Sequence, residues 1–344
     1  MRIVDLRSDT ITLPTDAMRK AMASAEVGDD VFGEDPTVNR LEEMSAERTG
    51  KEAALFVTSG TMGNLVCQLA QCGRGDEVIL GDEAHIFSNE QCGASTLGGI
   101  SLRTVPNQPD GTLLPEQIER AIRPDNIHCP RTRMIALENT HNRCNGSPLD
   151  MAYMDTVGEI ARRRNLKLHV DGARIFNAAA AVGASAAELV RHADSVTFCL
   201  SKGLGAPVGS MVCGTRDFIS EARRIRKVLG GGLRQAGVLA AAGIVALTEM
   251  VDRLREDHAN ARKLADGLAE IEGIGIEPAA IKTNIVFFRI DRPGLTPEEF
   301  AKRLREQGVR VGPKPPDHIR AVTNHHISAE DIDYALKACR EAVR

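Results

Sequence analysis

Apolar and polar positions alternate in a regular way between Lys51 and Cys213. Short apolar runs, rich in valine and isoleucine, are each followed by a stretch with apolar residues at helical spacing. This alternation is typical of a parallel sheet covered by helices. The predicted strands are 52–57, 77–81, 101–105, 133–138, 167–171, 195–200 and 209–214. Most of them are apolar on both faces, as a sheet with helices on each side requires.

The stretches between these strands carry the start signals of helices. Asp150 precedes a run with helical spacing, and its carboxylate can accept hydrogen bonds from the free amides of a first turn. The predicted helices in this part of the chain are 61–72, 115–122, 150–164 and 185–191.

The pattern changes after Thr215, where two long helical stretches, to about residue 228 and to about residue 271, precede further strands. The predicted elements that follow are strands 283–290 and 318–323 and helices 296–308 and 328–343. A chain of 344 residues is also longer than one typical domain. We therefore predict an α/β protein in which residues 1–247 form a large domain and residues 248–344 a small one.

Composition and charge limit the partners of such a protein. Hydrophobic residues make up 42% and charged residues 26% of the chain, as in an ordinary globular protein. The net charge of −4, without a basic stripe, and the lack of tryptophan argue against nucleic acid as a partner. The longest apolar run, 236–247, is shorter than a membrane span, and the charged first residues do not resemble a signal peptide. We expect a cytoplasmic protein that does not bind a membrane.

The eight cysteines are scattered along the chain. None of them forms a CxxC pair, and no histidine stands at the spacing of a zinc site. We therefore predict reduced, mostly buried thiols and no metal site.

Lys202 stands where the predicted strand 195–200 ends in the sequence Ser-Lys-Gly. An unpaired ammonium at the end of a buried strand is costly, so Lys202 either lies at a surface turn or serves chemistry. Ligands of an open α/β sheet bind where its strands end, which favours the second interpretation.

A second strand end carries Asp171 and Arg174, in the sequence HVDGAR. A carboxylate in apolar surroundings needs a cationic or hydrogen-bonding partner. Either Asp171 pairs with Arg174, or Asp171 faces a cationic ring nitrogen of a ligand while the fork of Arg174 holds a carboxylate.

A helix start, SGTMGN (59–64), follows the first predicted strand. The free amides of Gly60 and Thr61 can bind an anion there, although an ordinary helix start explains the sequence equally well. The spacings of an ATP-binding loop and of a dinucleotide-binding loop are absent. An acid for a pyridinium nitrogen, an amine for a Schiff base and a phosphate site are the three needs of pyridoxal 5'-phosphate. Asp171, Lys202 and these two amides together predict that cofactor.

Several motifs resemble those of the L-threonine aldolases, pyridoxal-phosphate enzymes of the aspartate-aminotransferase fold. They are DLRSDT (5–10), GDDVFGEDPTVNRLE (28–42), SGTMGN, DEAHIF (82–87), NIHCPRTRMIALENTHN (126–142), HVDGARIFNA (169–178), CLSKGLGAPVGS (199–210), GGGLRQAG (230–237) and IRAVTNHH (319–326). The resemblance covers nearly the whole chain, and the combination is specific although each motif alone is not. It implies a large domain with a mostly parallel seven-stranded sheet and a smaller α+β C-terminal domain.

The resemblance also implies roles for individual residues. Lys202 would join the cofactor covalently, Asp171 would keep the ring nitrogen protonated, and His85 would stack on the ring. The residues that would hold the phosphate are Gly60, Thr61, Ser201 and, from a neighbouring subunit, Lys227 and Arg234. The residues that would hold the substrate carboxylate are Ser8, Arg174 and Arg320. His128 would lie near the substrate hydroxyl.

Other residues are given lesser roles or depart from the family pattern. Glu90 would contact residues that bind the cofactor rather than the cofactor itself, and Glu138 and Asn139 would lie near the site. The remaining histidines of these motifs are expected to be structural or exposed: His141, His169, His325 and His326. Phe32 stands where the family often has tyrosine, and Asn324 where many members have histidine, which affects stereopreference but not the reaction class.

The activity that the resemblance implies is cleavage of L-threonine or L-allo-threonine between Cα and Cβ, to glycine and acetaldehyde. The base that takes the hydroxyl proton is left open between His128, His85 and a water that they orient. A site shared between subunits implies a homo-oligomer, with a dimer of dimers expected. Two alternatives are another enzyme of this fold, such as a β-eliminating lyase or an aminotransferase, and a non-catalytic binding protein.

Overall fold

The computed structural model describes residues 2–344, which form three sheets surrounded by α-helices. The strands are β1 (Val4–Asp5), β2 (Ala53–Val57), β3 (Asp76–Gly81), β4 (Ser101–Val105), β5 (Arg131–Glu138), β6 (Lys167–Asp171), β7 (Ser195–Cys199), β8 (Ser210–Gly214), β9 (Ile274–Gly275), β10 (Ile285–Ile290), β11 (Val309–Arg310), β12 (Gly312–Lys314) and β13 (His318–Val322). The α-helices are α1 (Asp16–Ala23), α2 (Pro36–Thr49), α3 (Gly60–Gln71), α4 (His85–Ser88), α5 (Gly93–Gly98), α6 (Pro115–Ala121), α7 (Met151–Arg163), α8 (Ile175–Val182), α9 (Ala186–Leu189), α10 (Arg216–Val228), α11 (Gly237–Val245), α12 (Leu254–Ala269), α13 (Pro297–Glu306) and α14 (Ala329–Ala342).

The large sheet has seven strands in the order β2-β8-β7-β6-β5-β3-β4. Neighbouring strands are parallel except at β8, which runs antiparallel to both β2 and β7. The prediction of a mostly parallel seven-stranded sheet is therefore confirmed. The central strands β7 and β8 are buried along their whole length, which explains why their sequences are apolar on both faces.

Helix starts follow the expected capping chemistry. Asp150 accepts a hydrogen bond from Tyr153 N at 2.9 Å and begins α7 as predicted. Ser185 and Glu188 form a reciprocal capping box at the start of α9. These local signals, together with apolar spacing, explain why most predicted elements agree closely with the observed ones.

A hairpin connects β7 to β8 and carries Lys202. Leu200 N donates to Gly209 O at 3.0 Å, so the two strands stay paired up to the start of the loop. Gly209 has φ +108°, a conformation that side-chain-bearing residues rarely adopt, and a Cβ there would clash with the Phe56 ring. The loop thus leaves and re-enters the sheet at one edge, and Ser201 and Lys202 lie directly beyond the carboxyl end of β7.

The second sheet is antiparallel and has the order β12-β13-β10-β9. The N-terminal segment lies against it, because β1 pairs with β11 and Val322 N donates to Leu6 O at 2.7 Å. The N-terminal segment therefore meets β13, and Arg320 Nη1 donates to Arg7 O, next to Ser8.

Two main apolar clusters form the cores. The larger cluster includes Leu247, Met250 and Leu254, whereas the smaller one runs from Ala261 to Val343 and also contains Val4 and Leu6. The long helical stretch predicted up to about residue 271 consists of α11, a π-helical turn at Ala246–Met250 and α12. A division at residues 247 and 248 stays a prediction. Each helix in the described residues is too short or too polar to cross a membrane.

Candidate functional site

The candidate site lies where β6 and β7 end, beside the start of α3. Asp171, the last residue of β6, is in register with Thr197 of β7, and Lys202 follows five positions after Thr197. Because the two strands are parallel neighbours, Asp171 and the Lys202 loop emerge at the same edge of the sheet. The sequence-predicted acid and amine are thus brought to one place by the strand order.

Asp171 is almost fully buried and is held by hydrogen bonds rather than by a cation. Asn64 Nδ2 donates to Oδ2 at 2.9 Å, and Ala173 N donates to Oδ1 at 3.1 Å. Arg174 does not contact it, so the interpretation of an Asp171–Arg174 pair is wrong. The reason is the helical turn after β6, from which Arg174 reaches a different carboxylate, that of Asp9.

Arg174 and Asp9 form a buried bidentate pair, with Nε to Oδ2 at 2.7 Å and Nη2 to Oδ1 at 2.6 Å. Burial disfavours the charged form of Asp9, but the charge and the hydrogen bonds of Arg174 outweigh it and lower the pKa of Asp9 below its usual range. Two guanidinium nitrogens of Arg174 are thereby occupied. The role of Arg174 in holding a substrate carboxylate stays a prediction, and Nη1 and the second hydrogen of Nη2 are the donors that could serve it.

Arg320, on β13, is a nearly buried cation without a carboxylate in direct contact among residues 2–344. Its Nη2 donates to Asn142 Oδ1 at 2.7 Å and its Nη1 to Arg7 O at 3.3 Å, while its buried Nε has no partner in this part of the chain. Burial, together with the charge of Arg174, lowers the pKa of Arg320 to about 10. A buried guanidinium with an unused donor is suited to bind an anionic group.

His85 lies at the first position of α4 beside two carboxylates. Its Nδ1 is 2.9 Å from Glu90 Oε1, and its backbone amide donates to Glu138 Oε2 at 2.7 Å. The hydrogen bond to Glu90 raises the pKa of His85, opposed by burial and supported by the charge of Asp171. One atom each of His85, Glu90 and Asp171 lie within 4.8 Å of one another. His85 is therefore brought next to the predicted ring-binding carboxylate.

These three side chains could in principle ligate a divalent cation. However, Asn64 Nδ2 donates to Glu90 Oε1 at 2.8 Å as well as to Asp171 Oδ2. Its two amide hydrogens point towards the carboxylate oxygens that would have to face the ion. The arrangement favours a hydrogen-bonded site over a metal site.

Lys202 is half-buried, and its ammonium has no acceptor within hydrogen-bonding distance in residues 2–344. Its backbone carbonyl accepts from Thr12 Oγ1 at 2.9 Å, which ties the loop to the N-terminal segment. Its charge also contributes to lowering the pKa of Asp9, after the larger effects of burial and Arg174. The amine is thus placed at the site without an internal partner.

The start of α3 provides an anion cradle. Ser59 caps Met62 N, which leaves the Gly60 and Thr61 amides without acceptors in the part of the chain that the structure describes. A methyl group on Gly60 would lie 3.0 Å from Cys199 Sγ, so the helix start packs directly against the end of β7. The cradle therefore adjoins Ser201 and Lys202, which follow Cys199.

Four other predicted residues lie outside this contact network. His128 lies exposed in the loop before β5, where its backbone amide donates to Asn126 Oδ1 at 2.9 Å. Ser8 accepts from Thr10 through N at 3.2 Å and through Oγ1 at 2.9 Å. Lys227, in the last turn of α10, and Arg234, in the glycine-rich loop after it, are exposed. Their assigned roles stay predictions.

Sequence reasoning missed Asn64 and Asn142, which orient Asp171 and Arg320 respectively. Both lie inside quoted motifs, SGTMGN and ENTHN, but nothing local distinguishes them from other asparagines. Glu138, expected only near the site, accepts from the amides of His85 and Asn142 at 2.7 and 2.8 Å and so positions both loops. Asn139 instead pairs with the backbone of Leu149.

The side chains present fit pyridoxal phosphate. A buried carboxylate held by amide donors suits a protonated ring nitrogen, an amine without a partner suits covalent attachment, and two free amides suit a phosphate. The buried Ser210 Oγ, which has no hydrogen-bond partner in residues 2–344, lies 3.8 Å from the position that a Cβ of Gly60 would take. The donor set matches the three chemical needs of this cofactor.

Comparison with known proteins finds a matching family model and close relatives. The family model of beta-eliminating lyases matches residues 5–291. The probable low-specificity L-threonine aldolase 2 of Arabidopsis thaliana is 52% identical, with all of this chain and 98% of the relative covered. The low specificity L-threonine aldolase of Escherichia coli strain K12 is 46% identical, with 96% of both chains covered.

A solved structure of similar fold is the threonine aldolase of Leishmania major. The TM-score is 0.84 at 20% identity, and 99% of this chain and 100% of the Leishmania chain are covered. At this identity the likeness establishes the fold alone. It agrees with the seven-stranded sheet and the additional antiparallel sheet described above.

Proposed function

The chain belongs to the beta-eliminating lyase family and, within it, to the low-specificity L-threonine aldolases, and we propose that the site around Asp171 and Lys202 performs their reaction. The enzyme is a pyridoxal-phosphate-dependent lyase. Its substrates are β-hydroxy-α-amino acids, both L-threonine and L-allo-threonine, which it cleaves to glycine and an aldehyde. Acetaldehyde is the product from threonine.

The observation that carries this proposal is the position of Asp171 and Lys202 at the ends of neighbouring parallel strands, with the buried Arg320 brought in from the second sheet. Lys202 would hold the cofactor covalently, and Asp171 would pair with its ring nitrogen. The residues that would hold the phosphate in this chain are Gly60, Thr61 and Ser201.

When bound, pyridoxal phosphate supplies an electron sink for the pair of electrons released as the Cα–Cβ bond breaks. Asp171 would keep a proton on the ring nitrogen of the bound cofactor, because its carboxylate is buried and is fixed by Asn64 and Ala173. This protonation is what makes the ring a strong sink. Asn64 acts by keeping one carboxylate oxygen in place.

Arg320 binds and orients the substrate carboxylate through its buried Nε. Asn142 and the Arg7 carbonyl fix the guanidinium plane from the other side. Holding the carboxylate would fix the orientation of the substrate and thereby select which bond at Cα is cleaved. Ser8 lies one residue from Arg7 and would complete the carboxylate site.

His85 is the favoured base for the β-hydroxyl proton, because it lies in the site whereas His128 lies on an exposed loop. Its Nδ1 faces Glu90, so Nε2 is the atom available to accept the proton. The carboxylate of Glu90 stabilises the imidazolium that forms. His128 would then contact the hydroxyl or the leaving aldehyde.

A homo-oligomer is part of the proposal, with Lys227 and Arg234 completing the phosphate site of a neighbouring subunit. Supporting this, apolar side chains are exposed in this part of the molecule: Val228, the last residue of α10, is 82% exposed and Phe32 is 73% exposed. A cytoplasmic location is also proposed, because all eight cysteines carry free thiols.

The test is product analysis with purified protein, pyridoxal phosphate and each threonine stereoisomer. Glycine and acetaldehyde from the L isomers are expected, whereas ammonia and a keto acid would indicate an eliminating lyase instead. Lys202→Ala should abolish both the visible absorption band of the bound cofactor and cleavage, and Lys302→Ala, at an exposed site on α13, should change neither. Cleavage retained by Lys202→Ala, or confined to the D isomers, would contradict the proposal.

A further inference from the structure

A chain of buried hydrogen bonds runs from Asp171 into the interior of the large sheet. Asn64 Oδ1 is 3.1 Å from His169 Nε2, His169 Nδ1 is 2.9 Å from Ser195 Oγ, and Ser195 Oγ accepts from Gln71 Nε2 at 2.8 Å. His169, Ser195 and Asn64 are at most 1% exposed. The mechanism derived above uses only Asp171 and Asn64 of this chain.

The Gln71 end of the chain is compatible with one direction of these hydrogen bonds. Gln71 Nε2 can only donate, so Ser195 Oγ accepts from it and keeps its own hydrogen, which it can donate to His169 Nδ1. His169 Nδ1 then carries no proton, and the ring proton resides on Nε2. From there it is donated to Asn64 Oδ1.

The other end of the chain requires the same orientation of the Asn64 amide. Its nitrogen faces two carboxylate oxygens, Glu90 Oε1 and Asp171 Oδ2, and only an amino group can donate to both. Its oxygen also accepts from Thr197 Oγ1 at 2.8 Å. Because Asn64 Oδ1 can only accept, it requires a proton on His169 Nε2, so the carboxylate end fixes the arrangement and the Gln71 end is compatible with it.

We propose that His169 is a positioning residue: as a neutral imidazole with its proton on Nε2, it locks the Asn64 amide so that Asp171 is presented to the cofactor ring. Only one part of this proposal rests on the proposed function, namely that Asp171 faces the cofactor ring. The hydrogen-bond order itself is a property of the protein without cofactor. His169 never touches substrate or cofactor in this arrangement.

Burial keeps His169 neutral. It lowers the pKa of His169 to about 4, and the opposing charge of Asp171 is too weak to reverse this. An imidazolium would donate from both nitrogens, and Ser195 would then have to turn its hydrogen away from the ring. Glu90 and His85, the other titratable groups beside Asp171, lie on the far side of Asn64.

The backbone places these residues on one face. His169 and Asp171 are two positions apart on β6, so both side chains point towards α3, where Asn64 lies. Gly63 permits a close approach of that helix, because a Cβ there would lie only 3.0 Å from Thr197 Cγ2. The short side chain of Asn64 can therefore reach both the histidine and the carboxylate.

The first test observes the ring directly, without cofactor. In protein labelled with ¹⁵N-histidine, the nuclear magnetic resonance signals of His169, identified by their loss in His169→Gln, should show a protonated Nε2 and a bare Nδ1. Ser195→Ala should leave the proton on Nε2, because Asn64 Oδ1 still accepts from that nitrogen. A proton on Nδ1, or an imidazolium at neutral pH, would overturn the proposal.

The second test measures the dissociation constant of pyridoxal phosphate and the visible band of the bound cofactor. Gln at position 169 keeps an amide donor near the Nε2 position, so His169→Gln should stay close to the parent protein. His169→Asn and His169→Leu should bind the cofactor about tenfold more weakly and shift the band. The control is His258→Asn, a partly buried histidine that faces Asn177 instead.

Equal affinity and spectra in all three His169 variants, or equal damage in all three, would overturn the positioning role. Denaturant unfolding of the proteins without cofactor separates lost affinity from lost folding. If the parent protein takes up no pyridoxal phosphate, the proposed function fails, whereas the tautomer measurement still decides the order of the hydrogen bonds.

Discussion

Arg174 and Asp9 are joined by two hydrogen bonds of 2.7 and 2.6 Å although 165 positions separate them in sequence. The pair connects the N-terminal segment to the turn after β6. Asn284 Nδ2 also donates to Asp9 Oδ2, at 3.3 Å, and links the same carboxylate to the second sheet. One buried aspartate thereby holds three distant parts of the site together.

Replacement of Asp9 by asparagine should destabilise the protein by about 3–5 kcal/mol, because it leaves the guanidinium of Arg174 buried without its counter-charge. Urea unfolding measures this change. Asp333→Asn, which breaks an exposed pair with Lys263, should change the free energy of unfolding by no more than about 1 kcal/mol. If the free energy of unfolding falls by a similar amount in both variants, the buried pair contributes no more to stability than the exposed one.

The Asp9 pair also predicts a pH dependence of stability. The pKa of Asp9 is lower in the folded than in the unfolded protein, so its contribution is present above the unfolded value and is lost as pH falls towards the folded value. Stability measured by urea unfolding should therefore fall on acidification in the parent protein. Asp9→Asn should lack this part of the decrease.

Arg320→Leu should raise KM for L-threonine roughly 10- to 100-fold, because a charge-assisted hydrogen bond to the substrate carboxylate is lost. Arg320→Lys should keep the positive charge but not the hydrogen-bonding geometry, so its KM should lie between those of the parent protein and Arg320→Leu. Steady-state kinetics at saturating cofactor check this. Arg143→Leu removes an exposed arginine that pairs with Glu83, and an equally raised KM there would point to a general electrostatic effect.

Glu90→Gln should move the acidic limb of the kcat/KM profile to lower pH. The hydrogen bond from His85 to the carboxylate raises the pKa of His85, and a neutral amide removes most of that effect. A base must be unprotonated to act, so activity falls as pH falls through the pKa of His85. An acidic limb unchanged in Glu90→Gln would show that another group is the base.

Mixing two impaired variants tests the proposal that the site is shared between subunits. Lys227→Ala should weaken phosphate binding in the neighbouring subunit, and Lys202→Ala removes the amine in its own subunit. Unfolding and refolding the two together should restore activity, because mixed oligomers contain one site with both lysines. Recovery should be absent if each subunit supplies all of its own phosphate ligands.

Local sequence determined the elements and the identity of the chemical groups. Alternating apolar runs predicted all seven strands of the large sheet, and the capping residue Asp150 predicted the start of α7, because both signals are contained within a few residues. Asp171 and Lys202 stood out for the same reason, as polar residues at the ends of apolar strands. The family motifs added roles for residues, such as Arg320, that periodicity cannot assign.

Only the tertiary structure decided which polar group meets which. Asn64 lies 107 positions from Asp171, Asn142 lies 178 positions from Arg320, and His169 reaches Asn64 across 105. Strand order and helix packing create these contacts, and no pattern confined to neighbouring residues encodes them. Arg174 shows this most clearly: its sequence neighbour Asp171 was the obvious partner, but the fold placed the carboxylate of Asp9 within its reach.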